Sequence, residues 1–250
     1  MTYTLLTMVQ ASATELGLPV PSAVASATDA QTRQMLGLLN REGRFLVRDH
    51  QWSQLQTLGT ITAVADQAAY NFPSDFLRII GNTLWDRQNR WELLGPDSPQ
   101  TDRFKRESAV SQTGPRRSVR QVGSQLKVWP TPTSSGAVFV YEYVSKNWAT
   151  TSTGTGIDAM TADTDIPLLD ADLLVLGLKW RFLAAKGMGS AEAVQAEYSD
   201  ALRKAKAANN GGGRILSMVP RHKLPNNADI VAGSRPNVIL SEGGDFLTVE

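Results

Sequence analysis

TLGTITAVADQAAYNFPSDFLR, residues 57–78, is the stretch in which the chain changes its periodicity. Thr57, Thr60, Ile61, Thr62 and Val64 are β-branched and roughly alternating, as a strand buried on one face requires. Asp66-Gln67 supplies a polar turn, and Tyr70-Asn71-Phe72-Pro73 opens a second extended run. Upstream, the repeat is helical. Leu5, Leu6, Val9, Ala13 and Leu16 share one helical face within residues 2–16, and Gly17, Pro19 and Pro21 end it. Thr28 or Asp29 then caps a second predicted helix carrying Met35, Leu36, Leu39, Phe45 and Leu46 before Trp52, with Gly37 and Gly43 as interruptions. The two helices are expected to pack as a hairpin.

Downstream, residues 76–85, 91–94, 118–122, 125–129 and 137–144 read as short strands, with Gly123-Ser124 as a hairpin turn. Ser98-Pro99-Gln100 starts one short helix that runs through Glu107. Residues 145–165, rich in Thr, Ser and Gly, are expected to form a long exposed loop. After Pro167, the spacing of Leu168, Leu169, Leu173, Leu176 and Trp180 predicts the central helix of the core, in which Trp180 is expected to be largely buried. An Ala-rich helix over 191–208 carries Val194, Tyr198 and Leu202 on one side and stops at Asn209, Asn210 and three glycines. The expected fold is therefore α+β. Residues 1–54 and 165–208 make a discontinuous helical bundle, 55–150 an inserted β-rich module, 151–164 a flexible loop and 209–250 an extended C-terminal arm.

Composition narrows the chemistry. The 250 residues carry 25 Lys and Arg against 24 Asp and Glu, so no global field selects nucleic acid or an anionic membrane. The absence of cysteine removes disulfides, thiolate nucleophiles and thiolate metal sites. Ala11-Ser12-Ala13 superficially resembles a signal-peptide cleavage site, but no basic segment precedes it, and an amphipathic helix is the better reading. The apolar run at residues 173–178 is far shorter than the ~20 residues a membrane span needs, so no membrane contact is expected.

Catalytic patterns are sparse. Neither His50 nor His222 has metal-ligand spacing, and His50 reads as a favourable charge at a helix C-terminus. Gly154-Thr155-Gly156 lacks the third glycine and the strand-to-helix setting of a dinucleotide site. Asp163, Asp165, Asp170 and Asp172 form an acidic run without the EF-hand pattern, so capping is preferred to cation binding. The chain is expected to be no enzyme, with no cofactor and no metal. Arg116, Arg117 and Arg120 are read as a solvated strand face. In the arm, Arg214, Arg221, Lys223 and Arg235 suit a complementary acidic protein surface, while Ile215, Leu216, Met218 and Val219 are candidate first anchors. Val238, Ile239 and Leu240 follow, as a strand added to a partner sheet or as groove-filling residues.

Phe45, Trp52 and Leu55, then Tyr70-Asn71-Phe72-Pro73-Ser74-Asp75-Phe76-Leu77-Arg78, then Trp85 and Trp91, then the Val-Trp-Pro-x-Pro strand end at residues 128–132, occur in an order that resembles the head-to-tail adaptors of short-tailed bacteriophages. The resemblance covers most of the chain. It implies a structural virion protein at the head-tail junction, assembled in the host cytoplasm. Such a protein forms a homo-oligomeric, dodecameric ring below the portal protein ring, receives the tail nozzle or other tail proteins, and surrounds double-stranded DNA during ejection without sequence-specific binding. The alternative is a β-sandwich carbohydrate or receptor-binding tail module, with Trp85, Trp91, Trp129 or Trp148 as stacking platforms. A glycan hydrolase using paired carboxylates such as Asp97 and Asp102 has no positive motif.

Overall fold

In the computed structural model, residues 3–107 and 116–209 are described. Helix α1, Leu5–Glu15, starts on a capping box in which the Thr4 hydroxyl accepts from the Thr7 backbone N–H and the Thr7 hydroxyl from that of Thr4. Helix α2, Ala30–Asp49, is capped by Asp29, whose carboxylate accepts from the Thr32 N–H at 2.8 Å. It ends where His50 turns extended, and Trp52 seals the end by donating its indole N–H to the Leu46 carbonyl at 2.8 Å. A short 3-10 turn, Ser53–Leu55, then leads into the first strand.

That strand, β1 (Gln56–Thr62), lies along the whole of β8 (Val138–Ser145), from Gln56 opposite Val144 to Thr62 opposite Val138. The other edge of β8 is shared by β3 (Phe76–Ile79) and β4 (Trp85–Asp86), and β5 (Trp91–Glu92) pairs outside β4. A second antiparallel sheet has the order β2-β7-β6, from β2 (Ala69–Asn71), β6 (Ser118–Val122) and β7 (Gln125–Trp129). Gly123, at φ 58, makes the hairpin turn between β6 and β7, a conformation glycine adopts without steric cost. Ile61, Tyr70, Leu84, Val119, Leu126, Val128, Phe139 and Tyr141, from both sheets, share one apolar core.

A second core is helical. Helix α4, Ala171–Ala185, packs against α1, α2 and α5, the last being Ala191–Asn209. Leu173, Leu174, Val175, Leu178, Phe182 and Leu183 of α4 are all buried, which is the pattern of a helix with neighbours on several sides. Val144, Trp148, Ala149 and Met160 join the same cluster.

The mixture of helices and antiparallel strands is the α+β class the sequence led us to expect. Three local readings are corrected. The 76–85 run is two strands, because Asn82 takes φ 61 and the Thr83 hydroxyl donates to the Ile80 carbonyl at 2.7 Å, turning the chain between them. Residues 145–165 are not one exposed loop: Trp148, Ala149, Met160 and Asp165 are buried, and β9 (Ala149–Thr150) pairs with both β10 (Gly156–Ile157) and β11 (Ile166–Pro167). Here a few apolar anchors and carboxylates hold a polar segment in place. Asp165 accepts from the N–H groups of Thr161 and Ala162, and Asp163 from those of Val24 and Ala25. Trp180, finally, is only half-buried; the deeply enclosed indoles are those of Trp52 and Trp148.

Candidate functional site

The helical core closes around a carboxylate. Glu42 of α2 is fully buried, accepts from the Arg181 guanidinium of α4 and from the Tyr198 hydroxyl of α5, and so ties three helices at one point. Gly177 makes the room: a Cβ there would stand 2.7 Å from the Glu42 carboxyl carbon. Next to Glu42 in sequence, Gly43 leaves the space into which the Trp148 indole packs, and that indole donates to the Asp158 carbonyl at 2.8 Å. Burial, then the Glu42 hydrogen bond and charge, push the Tyr198 phenol far up, so it remains a donor at any physiological pH. Paired and enclosed, this group is a structural knot rather than a proton-transfer site.

The Tyr-Asn-Phe-Pro-Ser-Asp-Phe segment serves the sheets in a comparable way. Phe72 and Phe76 stack with ring centroids 3.8 Å apart, and Asp75 accepts from the Tyr143 hydroxyl at 3.0 Å and the Ser145 hydroxyl at 2.8 Å. Burial, with the Asp75 hydrogen bond and charge, pushes the Tyr143 phenol up to about 12. Beside it lies an open cleft of about 270 Å³ lined by Ser74, Asp75, Lys146, Asn147, Gly156, Ile157 and Asp158. The Asp75 carboxylate in this lining is engaged by two hydroxyl donors, Tyr143 and Ser145.

The carboxylates considered for hydrolysis are held in ion pairs. Asp97 meets Lys105 at 2.6 Å, and Asp102, on α3 (Pro99–Glu107), meets Arg106 at 2.9 Å and Arg120 at 2.8 Å. Burial pushes the Asp102 carboxyl up, but hydrogen bonds and charge from Arg120 and Arg106 outweigh it and hold the group below its ordinary value. A general acid needs the opposite shift. The same geometry corrects the reading of Arg117 and Arg120 as a solvated strand face: Arg120 is in that cluster, and Arg117 reaches Asp86 at 3.4 Å while lying 5.4 Å from the Phe139 ring centroid. Only Arg116 of the three is exposed.

The other candidates disperse. Asp170 caps α4 by accepting from the Asp172 N–H, whereas Asp163 and Asp165 hold turns elsewhere, so the acidic run is not one site. Among the described residues no group of three or more His, Asp or Glu is placed to hold a metal ion, and no helix is long and apolar enough to cross a membrane. His50 sits edge-on to Trp52 at 4.9 Å and is 3.2 Å from the Asn209 amide. Of the proposed stacking platforms, Trp148 is core and Trp129 is covered by Arg106 at 4.9 Å, which leaves Trp85 and Trp91 accessible. His222, Arg214 and the arm candidates Ile215, Leu216, Met218, Val219, Arg221, Lys223, Arg235, Val238, Ile239 and Leu240 lie outside the described residues.

Sequence reasoning missed two features. Phe104 is 71% exposed on α3, although an apolar residue in a short amphipathic helix reads as core. The other is the buried Glu42, whose sequence signal is its place beside Gly43 within the apolar spacing of Leu39 and Leu46.

The comparisons with known proteins bear on this architecture. A family model described as SU10 adaptor protein matches residues 3–232. No curated protein matches the chain significantly.

Proposed function

The chain belongs to the SU10 adaptor protein family, and on that premise we propose that it is a ring subunit at the head-tail junction of a virion. A phage structural adaptor works by contact with other head or tail proteins, and the family match over nearly the whole chain is the observation that carries the reading. In the full proposal, identical subunits close a dodecameric ring between the portal protein ring and the tail nozzle or other tail proteins. Double-stranded DNA passes through the ring without being read in sequence, and the particle is assembled in the host cytoplasm.

The physical features suit that role. Both cores are closed by paired polar groups, so the subunit presents fixed surfaces and no reactive centre among the described residues. We read residues 1–54 with 165–208 as the helical body, 55–150 as the inserted sheet module, and 209–250 as an arm that docks on the portal through the apolar and basic residues named above. The test is the mass of the full chain in solution, alone and mixed with portal rings. The proposal requires a closed oligomer or a stable portal complex; a monomer at micromolar concentration that ignores portal rings would refute it.

A further inference from the structure

Helix α2 segregates its charge. Arg33, Arg41, Arg44 and Arg48 are all exposed, and at 3.6 residues per turn they fall within about 80° of one another, in a row about 22 Å long. The only other residue on that line is the exposed Gly37. The acids of the helix point elsewhere: Glu42 is buried against Arg181, and Asp49 meets Lys206 at 2.6 Å. None of the four guanidinium groups has an ion-pair partner among the described residues, in a chain whose formal charge is only +1. At the end of the row, Arg78 donates to the Arg48 carbonyl at 3.2 Å, and Arg44 and Arg48 line a small groove with Lys146 and Asp158, which face each other at 3.9 Å.

We propose that this arginine row binds the phosphate backbone of double-stranded DNA, without reading bases. Two observations favour phosphates over an acidic protein. The centre of a protein interface is apolar, yet positions 33, 37, 41, 44 and 48 offer no apolar side chain; Phe45, 42% exposed with Arg181 at 5.3 Å from its ring, stands to one side of the row. Duplex DNA also presents one negative charge per ~1.7 Å, so a row about 22 Å long faces a continuous series of phosphates and needs no fixed register. Four such contacts are weak and exchange quickly at physiological salt, which permits a duplex to slide past. The inference rests on the ring reading for its biological setting but concerns the isolated chain, so each can fail alone.

The experiment is fluorescence anisotropy of the full chain with 30-base-pair duplexes of unrelated sequence. Binding is expected at 50 mM salt, equal for all sequences, and roughly 100-fold weaker at 200 mM. The R33Q/R41Q/R44Q/R48Q variant should reduce the salt slope by between about three and four. The R87Q/R90Q/R103Q/R116Q variant, which removes as many exposed arginines outside α2, should leave it unchanged. If the first variant fails to fold by circular dichroism, R41Q and R44Q separately should each reduce the slope by about one. Absence of binding at 50 mM, an equal loss in both quadruple variants, or displacement of DNA by polyglutamate at matched charge would overturn the proposal. The last result would reassign the row to an acidic protein. The mass of the same samples reports on ring formation independently.

Discussion

The helical core and the sheet core bury polar groups in opposite ways. The helical core encloses Glu42 and matches it with Arg181 and Tyr198, so a charge stands at its centre. The sheet core is apolar, and its tyrosines direct their hydroxyls to its margin: that of Tyr70 reaches the Gln67 carbonyl at 2.8 Å and that of Tyr143 the half-buried Asp75, while the buried Asp86 and Asp102 meet arginines outside the cluster. A buried ion pair that loses one member leaves an uncompensated charge, whereas neutralising the half-buried Asp75 leaves only two neutral hydroxyls to be satisfied. The two cores should therefore differ in their tolerance of polar substitution.

The largest effect is expected for Glu42→Ala, which strands Arg181 and should cost about 3–5 kcal/mol in a urea titration. A loss under about 1 kcal/mol would mean the helical core is not organised around the pair. Trp148→Ala should fall in a similar range, about 3–5 kcal/mol, and exceed Trp180→Ala measured in the same way. Gly177→Ala forces a methyl toward the Glu42 carboxyl and should cost about 1–3 kcal/mol, with Gly189→Ala, which has open space around it, as the control. On the sheet side Asp75→Asn should cost about 1–2 kcal/mol, visible as a small shift of the denaturation midpoint; a loss as large as that of Glu42→Ala would erase the contrast.

The smallest effect is one of pH. The folded value for Asp102 is depressed, so its contribution is present above the ordinary carboxylate range, near pH 4, and is lost as pH falls through the lowered value. Asp102→Asn should therefore lower stability at pH 7 slightly and flatten its decline below about pH 4. An unchanged acid limb in melting curves taken between pH 2 and 7 would show that Arg106 and Arg120 contribute nothing through this carboxylate.

The elements were legible where apolar spacing was dense. Both α2 and α4 follow directly from their repeats, and the β6-β7 hairpin follows from Gly123 with its flanking strands. Legibility failed where one residue did the structural work inside a polar stretch. Trp148 and Met160 are isolated in composition yet pin residues 145–165, because each fills a place in the helical core prepared by residues distant in sequence, Gly43 among them. Burial of Glu42 depended on Arg181 and Tyr198, more than a hundred positions away, and no local pattern could announce it. The arginine row was visible in the sequence, but its lack of partners became apparent only from the ion pairs of the folded chain.

The proposed division of labour, in which the described body stands by itself and the arm makes the docking contact, is tested most directly by deleting residues 212–250 and sedimenting the truncated subunit with portal rings. The account predicts a melting temperature and helical signal close to those of the full chain, together with loss of co-sedimentation. Truncated protein that still travels with portal rings at full-length occupancy, or that unfolds when isolated, would contradict it.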